Sequence, residues 1–154
     1  MAETFNPQPV EILLVDDNED DVVLLEESFR DSKFVNLLHV VHDGEEALAY
    51  LRREGKHRTA RIPGLVLLDI NMPKMNGFEV LRAMKGDPLL RTIPVVMLTT
   101  STRDEDIARS YDSGACSFVS KPVNFEKLKE VIKQFTLYWS LVSVVPPART
   151  TETP

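Results

Sequence analysis

The chain has 154 residues, 43% of them hydrophobic and 27% charged, the ordinary balance of a globular domain large enough to bury a core. Its formal net charge of −6 argues against a surface built to hold nucleic acid or anionic lipid, and leaves cations and other proteins as the expected partners. The single cysteine, Cys116, excludes an internal disulfide, and no apolar run approaches the length of a bilayer span.

Residues 1–9 are polar and proline-bearing, without the basic and apolar blocks of a signal peptide, so a loose tail and a cytoplasmic setting are expected. Val10–Val15 reads as a buried strand that runs straight into acid: Asp16, Asp17, Glu19, Asp20 and Asp21, broken only by Asn18. The spacing then predicts a helix over Asp20–Phe29, with Val22, Leu25 and Phe29 on one face. Glu19, Asp20 and Asp21 fall in or beside its first turn, where the helix dipole favours negative charge, and need no other explanation. A strand follows at Asn36–Val41, then a helix at Glu45–Arg53 carrying Ala47, Leu48 and Leu51. The basic stretch REGKHRTARIPG, residues 53–64, reads as a solvated surface loop.

Leu65–Leu68 is the third predicted strand, ending in Asp69, and Gly77–Lys85 is a helix with Phe78, Leu81 and Met84 aligned. Pro94–Leu98 is the fourth strand, ending in Thr99 and Thr100; Arg103–Tyr111 is a helix carrying Ile107 and Tyr111. Cys116, just before the fifth strand at Ser117–Val119, reads as a packed small side chain. Lys121-Pro122 comes next, and Pro122 holds Lys121 out of helical geometry before the last helix. That helix aligns Phe125, Leu128, Val131, Ile132, Phe135, Trp139 and Val142, and residues 144–154 form a Pro- and Thr-rich tail. Five strands alternating with five helices imply an α/β domain over residues 10–143. The expected form is a doubly wound (βα)5 fold, a parallel sheet with helices on both faces. In such folds ligands sit beyond the carboxyl ends of the strands.

At those ends the topology gathers Asp16 and Asp17, Asp69, Thr99 and Lys121: three carboxylates, a hydroxyl and an ammonium. Singly, each aspartate could merely end its element, since Asp is common in turns. Jointly they fit a hard divalent cation, Mg²⁺ above all, which takes one or two carboxylates and keeps waters. Such a cation also offsets the repulsion between Asp69 and an incoming phosphoryl group, while Lys121 and Thr99 can hold the equatorial oxygens. No His, Ser or Cys nucleophile is evident, so the plausible attacking atom is a carboxylate oxygen.

The segments LLVDDNEDD, LLDINMPKMNG, IPVVMLTTS and SFVSKP, in this order, resemble the receiver domain of two-component response regulators over Val10 to Trp139. The resemblance implies a flavodoxin-like (βα)5 receiver fold with Asp69 as phosphoacceptor. It implies Mg²⁺, with Mn²⁺ as a substitute, held by Asp16, Asp17, Asp69 and the backbone carbonyl of Asn71. It assigns Thr99 as switch hydroxyl, Phe118 as the aromatic that turns inward with it, Lys121 as a phosphoryl contact, and Pro73 and Gly77 to the bend after the third strand. From residue type alone, Phe118 would be core packing and Asn71 a turn residue. Thr100 is bulkier than the family's usual Ala or Gly beside the phosphoryl group, and the 53–64 loop is longer and more basic than usual. That loop and the aromatic last helix look most like stand-alone receivers associated with bacterial phytochrome histidine kinases.

The implied reaction is transfer of a phosphoryl group from a sensor histidine kinase, with output through protein contacts. The residues after Lys121 leave room for one helix and a tail, not for a nucleic-acid-binding module. FTLYWSLV at the end of the last helix is apolar enough to suggest a homodimer through the fourth helix, fifth strand, fifth helix and C-terminal segment. There are three rival readings: a Mg²⁺-dependent phosphohydrolase with an aspartate nucleophile, a flavodoxin-like FMN binder on the same architecture, and a degenerate receiver acting as a scaffold. The first lacks the usual second Asp two residues after its nucleophile, Asn71 standing there instead; the second would set Asp16 and Asp17 against the FMN phosphate; the third is disfavoured because every chemical position is filled.

Overall fold

A computed structural model describes residues 10–31, 36–100, 114–115 and 117–132. In chain order these form β1 (Val10–Val15), α1 (Glu19–Asp31), β2 (Asn36–Val41), α2 (Gly44–Arg52), a 3-10 turn at Gly55–His57, β3 (Leu65–Asp69), α3 (Gly77–Lys85), β4 (Val95–Thr99) and β5 (Ser117–Ser120). A last helix covers residues 125–132. The predicted helix Arg103–Tyr111, the tails, Cys116, and Phe135, Trp139 and Val142 lie outside the described residues.

The five strands make one parallel sheet in the order β2-β1-β3-β4-β5. Strand periodicity divides the core in two. Leu13, Val15, Val66, Leu68, Val95 and Met97 point to one face and pack with Leu48, Leu51, Phe78, Leu81 and Met84 from α2 and α3. Ile12, Leu14, Leu65, Leu67, Val96 and Leu98 point to the other and meet Val22, Leu25 and Phe29 of α1 and Leu128 and Ile132 of the last helix. Burial on both faces is why these strands read as unbroken apolar runs. Each fully buried aliphatic side chain contributes about 1.5–3 kcal/mol relative to exposure. No helix among the described residues is long and apolar enough to cross a membrane.

Strand order reverses between β1 and β3: the chain leaves β1 outward to β2, then crosses back to β3 on the other side. The crevice at this switch point lies beyond Val15 and Asp69, where the rule for open sheets puts ligands. The loop after β3 is set by backbone. Gly77 N–H donates to the Ile70 carbonyl at 2.9 Å, and a Cβ on Gly77 would lie 2.4 Å from the Asp69 carbonyl oxygen. Asn76 and Glu79 close a reciprocal capping box at the start of α3, at 3.0 and 2.9 Å. The 53–64 stretch is mostly exposed, as a surface loop should be, but it is attached at several points. His57 lies largely buried with its ring 5.2 Å from that of Tyr50, Arg61 reaches Glu11 at 3.3 Å, and Gly64 N–H donates to the Glu11 carbonyl at 2.8 Å.

Gly77→Ala should destabilise the domain by about 1–3 kcal/mol, since the added methyl meets backbone that carries Asp69. Urea denaturation gives the value; a loss within experimental error would show that the loop relaxes freely.

Candidate functional site

The sequence places the key side chains through strand ends, and the structure brings them together. Asp16 follows β1, Asp69 ends β3, Thr99 ends β4, and Lys121 follows β5. Parallel pairing carries this over directly: Asp69 pairs with Leu98, and Thr99 with Ser120, so the ends stand in register at one rim. Asp16, Asp69 and Thr99 are buried, Thr99 at 2% exposure, while Asp17 is exposed at the lip. One carboxylate oxygen from each of Asp16, Asp17 and Asp69 lies within 4.8 Å of the others.

Lys121 is the counter-charge. Its Nζ lies 2.9 Å from Asp16 Oδ2, 2.8 Å from Asp21 Oδ2 and 3.4 Å from Asp69 Oδ1. Burial alone would lower the ammonium's pKa, but its contacts with Asp21, Asp16 and Asp69 outweigh that and hold it above the ordinary lysine value. The backbone before it is tied in by Lys121 N–H donating to the Thr99 carbonyl at 2.7 Å, and the Lys121–Pro122 peptide is cis. Asp21 was the acid that helix-dipole reasoning set aside. It lies in the first turn of α1 and reaches the rim through Lys121, a contact that no local spacing announces.

The Asp69 carboxyl is raised to about 7, because desolvation by burial, with the Asp16 charge behind it, outweighs the pull of Lys121. Asn71 N–H donates to Asp69 Oδ1 at 3.3 Å, and Asn18 N–H donates to Asp16 Oδ1 at 2.9 Å. Among the described residues the buried Asp16 Oδ2 has no well-aligned hydrogen bond, and its polar contact is the ion pair with Lys121 at 2.9 Å. A buried carboxylate oxygen held only by an ion pair among the described residues, beside two further carboxylates, fits a divalent cation. The donor set, all oxygen, suits a hard ion. Phe118 lies half-buried in β5 against the α2/α3 side of the core. Thr100 and Asn71 are exposed at the rim, joined by a hydrogen bond from Asn71 Nδ2 to Thr100 Oγ1 at 3.3 Å.

Residues 12–133 match the response regulator receiver domain. The chain belongs to that family. Among relatives of this receiver is response regulator Rcp1 of Synechocystis sp., 35% identical over 148 residues, covering 96% of this chain and all of Rcp1. The phosphorylated cyanobacterial phytochrome response regulator RcpA is 41% identical, with a TM-score of 0.73 over 86% of this chain and 94% of its own. The bacteriophytochrome response regulator AtBRR is 42% identical, with a TM-score of 0.73 over 84% of this chain and 94% of its own. Rcp1 has also been solved in a Mn²⁺-bound form, 36% identical with a TM-score of 0.72 over 85% of this chain and 94% of that one. The resemblance to receivers associated with phytochromes is therefore borne out. The receiver is a signalling module of two-component systems, and the phosphohydrolase reading is not favoured. The three carboxylates, beside a relative solved with Mn²⁺, point to divalent metal binding.

The raised Asp69 value carries a sign. With the folded carboxyl near 7 and its ordinary value at 3.8, ionisation opposes folding, so metal-free stability falls as pH rises from about 4 to about 7. Asp69→Asn removes that titration. In EDTA the variant should be more stable than the parent at pH 8, with the advantage shrinking toward pH 4. Urea curves at both pH values measure it; an advantage that does not change with pH contradicts the assignment.

Proposed function

We propose that this receiver accepts a phosphoryl group on Asp69 from the phosphohistidine of a sensor histidine kinase, with Mg²⁺ at Asp16, Asp17, Asp69 and the Asn71 carbonyl. The observation that carries the proposal is the convergence on Asp69 of a buried lysine and two further aspartates at the switch point of the sheet. When bound, the cation supplies charge neutralisation between the carboxylate and the incoming phosphoryl oxygens, and Mn²⁺ can take its place.

The chain's own residues do the rest. Asp69 attacks phosphorus in line and the imidazole leaves. Lys121, held by Asp16 and Asp21, presents fixed positive charge to the equatorial oxygens without reorganising. Thr99, at the end of β4, donates its hydroxyl to the phosphoryl group, and Phe118 on the neighbouring strand follows into the space it leaves. Water later cleaves the acyl phosphate and resets the protein; beyond this transfer and slow dephosphorylation the chain has no enzymatic role. Thr100, at the lip, contacts the phosphoryl group's surroundings.

The receiver occupies residues 10–143 between tails 1–9 and 144–154, and it works in the cytoplasm, away from nucleic acid and membrane. The relatives RcpA and AtBRR are named as phytochrome response regulators, which supports a bacteriophytochrome as the kinase partner. Output passes through protein contacts, with a homodimer formed through the fourth predicted helix, β5, the last helix and the C-terminal segment. Sedimentation at micromolar concentration, with and without an acyl-phosphate analogue, should show a dimer in at least one state; a monomer in both removes the dimer.

Incubation with Mg²⁺ and acetyl phosphate should add a mass of roughly 80 Da to the parent and nothing to Asp69→Ala, because only the carboxylate can carry the phosphoryl group. No adduct on the parent, or an equal adduct on the variant, defeats the proposal. Lys121→Met should leave Mg²⁺ binding but slow adduct formation by about 100-fold or more, as expected when a fixed charge on the developing transition state is removed.

A further inference from the structure

The basic stretch between α2 and β3 takes no part in the chemistry at Asp69. Residues 53–64 hold four lysine or arginine side chains, Arg53, Lys56, Arg58 and Arg61, against the one acid Glu54, in a chain of net charge −6. The loop is fixed from beneath. Its 3-10 turn at Gly55–His57 sets the His57 ring 5.2 Å from that of Tyr50, Ala60 packs against the α2/α3 core, and Pro63 is buried. All four cations are exposed on this frame, the side chains of Lys56 and Arg61 at 77% and 81%. Lys56 reaches Glu46 at 3.5 Å and Arg61 reaches Glu11 at 3.3 Å, whereas Arg53 and Arg58 make no ion pair among the described residues. Arg53 also stands in the left-handed region, with φ 58°, at the end of α2. Helix termination alone favours glycine there, so what arginine brings is its charge.

Beside these cations is a surface cavity of about 490 Å³, lined in part by His39, Tyr50, Thr59, Ala60 and Arg61. Ile62, in the same loop, is 45% exposed. Cations around a cavity with ring and aliphatic walls suit a partner that carries carboxylates about an apolar side chain. We propose that the 53–64 loop and this cavity form a docking site for an acidic segment of a partner protein, with carboxylates at the four cations and one aromatic side chain in the cavity. The loop enters β3 at its amino end, and Asp69 closes the same strand at its carboxyl end. The strand is five residues long, so roughly 13 Å, at about 3.3 Å per residue, separates the two ends. A segment held here leaves the phosphorylation rim open, and the site keeps a partner near without entering the reaction. The size of the patch selects the class of partner. Exposed charges are screened beyond about 8 Å at physiological ionic strength, so a short segment feels the loop's cations alone. A nucleic acid duplex or a membrane lies against a wider surface, where the acids that give the chain its net charge repel it.

The probe is a capped, fluorescein-labelled peptide with three glutamates on each side of a tyrosine, and its binding to the unphosphorylated full chain is followed by fluorescence anisotropy. The peptide should bind saturably at low salt and weaken as salt is added. Arg53→Gln with Arg58→Gln should weaken binding about 3-fold or more, as two exposed ion pairs support. Arg82→Gln with Lys127→Gln, the same loss of charge at exposed positions away from the loop, should leave it nearly unchanged. Replacing the tyrosine of the peptide by glycine should weaken binding to the parent, and Asp69→Asn should bind as the parent does. No saturable binding at low salt, an equal loss in the Arg82 and Lys127 variant, or no loss when the tyrosine is replaced overturns the inference. Altered binding to Asp69→Asn places the peptide at the rim and overturns it too. So does tighter binding of a DNA duplex or of phosphatidylserine vesicles than of the peptide, since the occupant is then another polyanion. None of these outcomes bears on phosphorylation of Asp69, which the acetyl phosphate adduct reports separately.

Discussion

Among the described residues, one ammonium stands among four carboxylates. Lys121 touches Asp16, Asp21 and Asp69, while Asp17 completes the group of three acids that can share an ion. Two like charges 4 Å apart repel by on the order of 4 kcal/mol near a protein surface, so a single lysine leaves the cluster short of positive charge. That shortage is the constraint on which the rest of the site depends. It makes a divalent cation welcome, and the Asp16 charge adds to the larger effect of burial in raising Asp69 to about 7. A carboxylate under such pressure gains from any chemistry that spreads or caps its charge.

The sheet exists to hold that pressure in place. Strands buried on both faces, with alternate side chains in two separate cores, make the rim rigid from beneath. The reversal of strand order between β1 and β3 opens the crevice into which Asp16 and Asp69 project. The loop after β3 then has to be narrow, which Gly77 permits by its missing side chain and the Asn76–Glu79 capping box fixes by its two hydrogen bonds. Packing, turn chemistry and electrostatics thus point to one place, as expected of a sequence whose local and global preferences agree.

Much of this was legible in the residues. The unbroken apolar runs gave the strands nearly to the residue, because burial on both faces leaves no polar positions to confuse the reading; β1, β2 and α3 match their predicted limits. The site was legible through the strand ends alone, since parallel strands bring their termini together whatever the loops do. Asp21 was not legible, because an acid in a first helical turn already has a sufficient electrostatic reason to be there. The 53–64 stretch is the mostly exposed surface loop its sequence suggests, but its points of attachment were not legible. Its charges mask contacts that depend on Tyr50 and Glu11, which sequence spacing cannot bring together. The bond between Asn71 and Thr100 was equally hidden, since nothing local to either residue announces a partner across two loops.

The charge shortage itself is open to direct measurement. Calorimetric titration of metal-free protein with Mg²⁺ near pH 7, repeated in buffers of different ionisation enthalpy, counts both the ions bound and the protons released. One ion per chain, bound with release of a fraction of a proton as Asp69 ionises, is the outcome the charge balance requires. Absence of saturable binding, or binding that moves no proton at that pH, would show that the acids of this rim are already satisfied and that the site is not built as described.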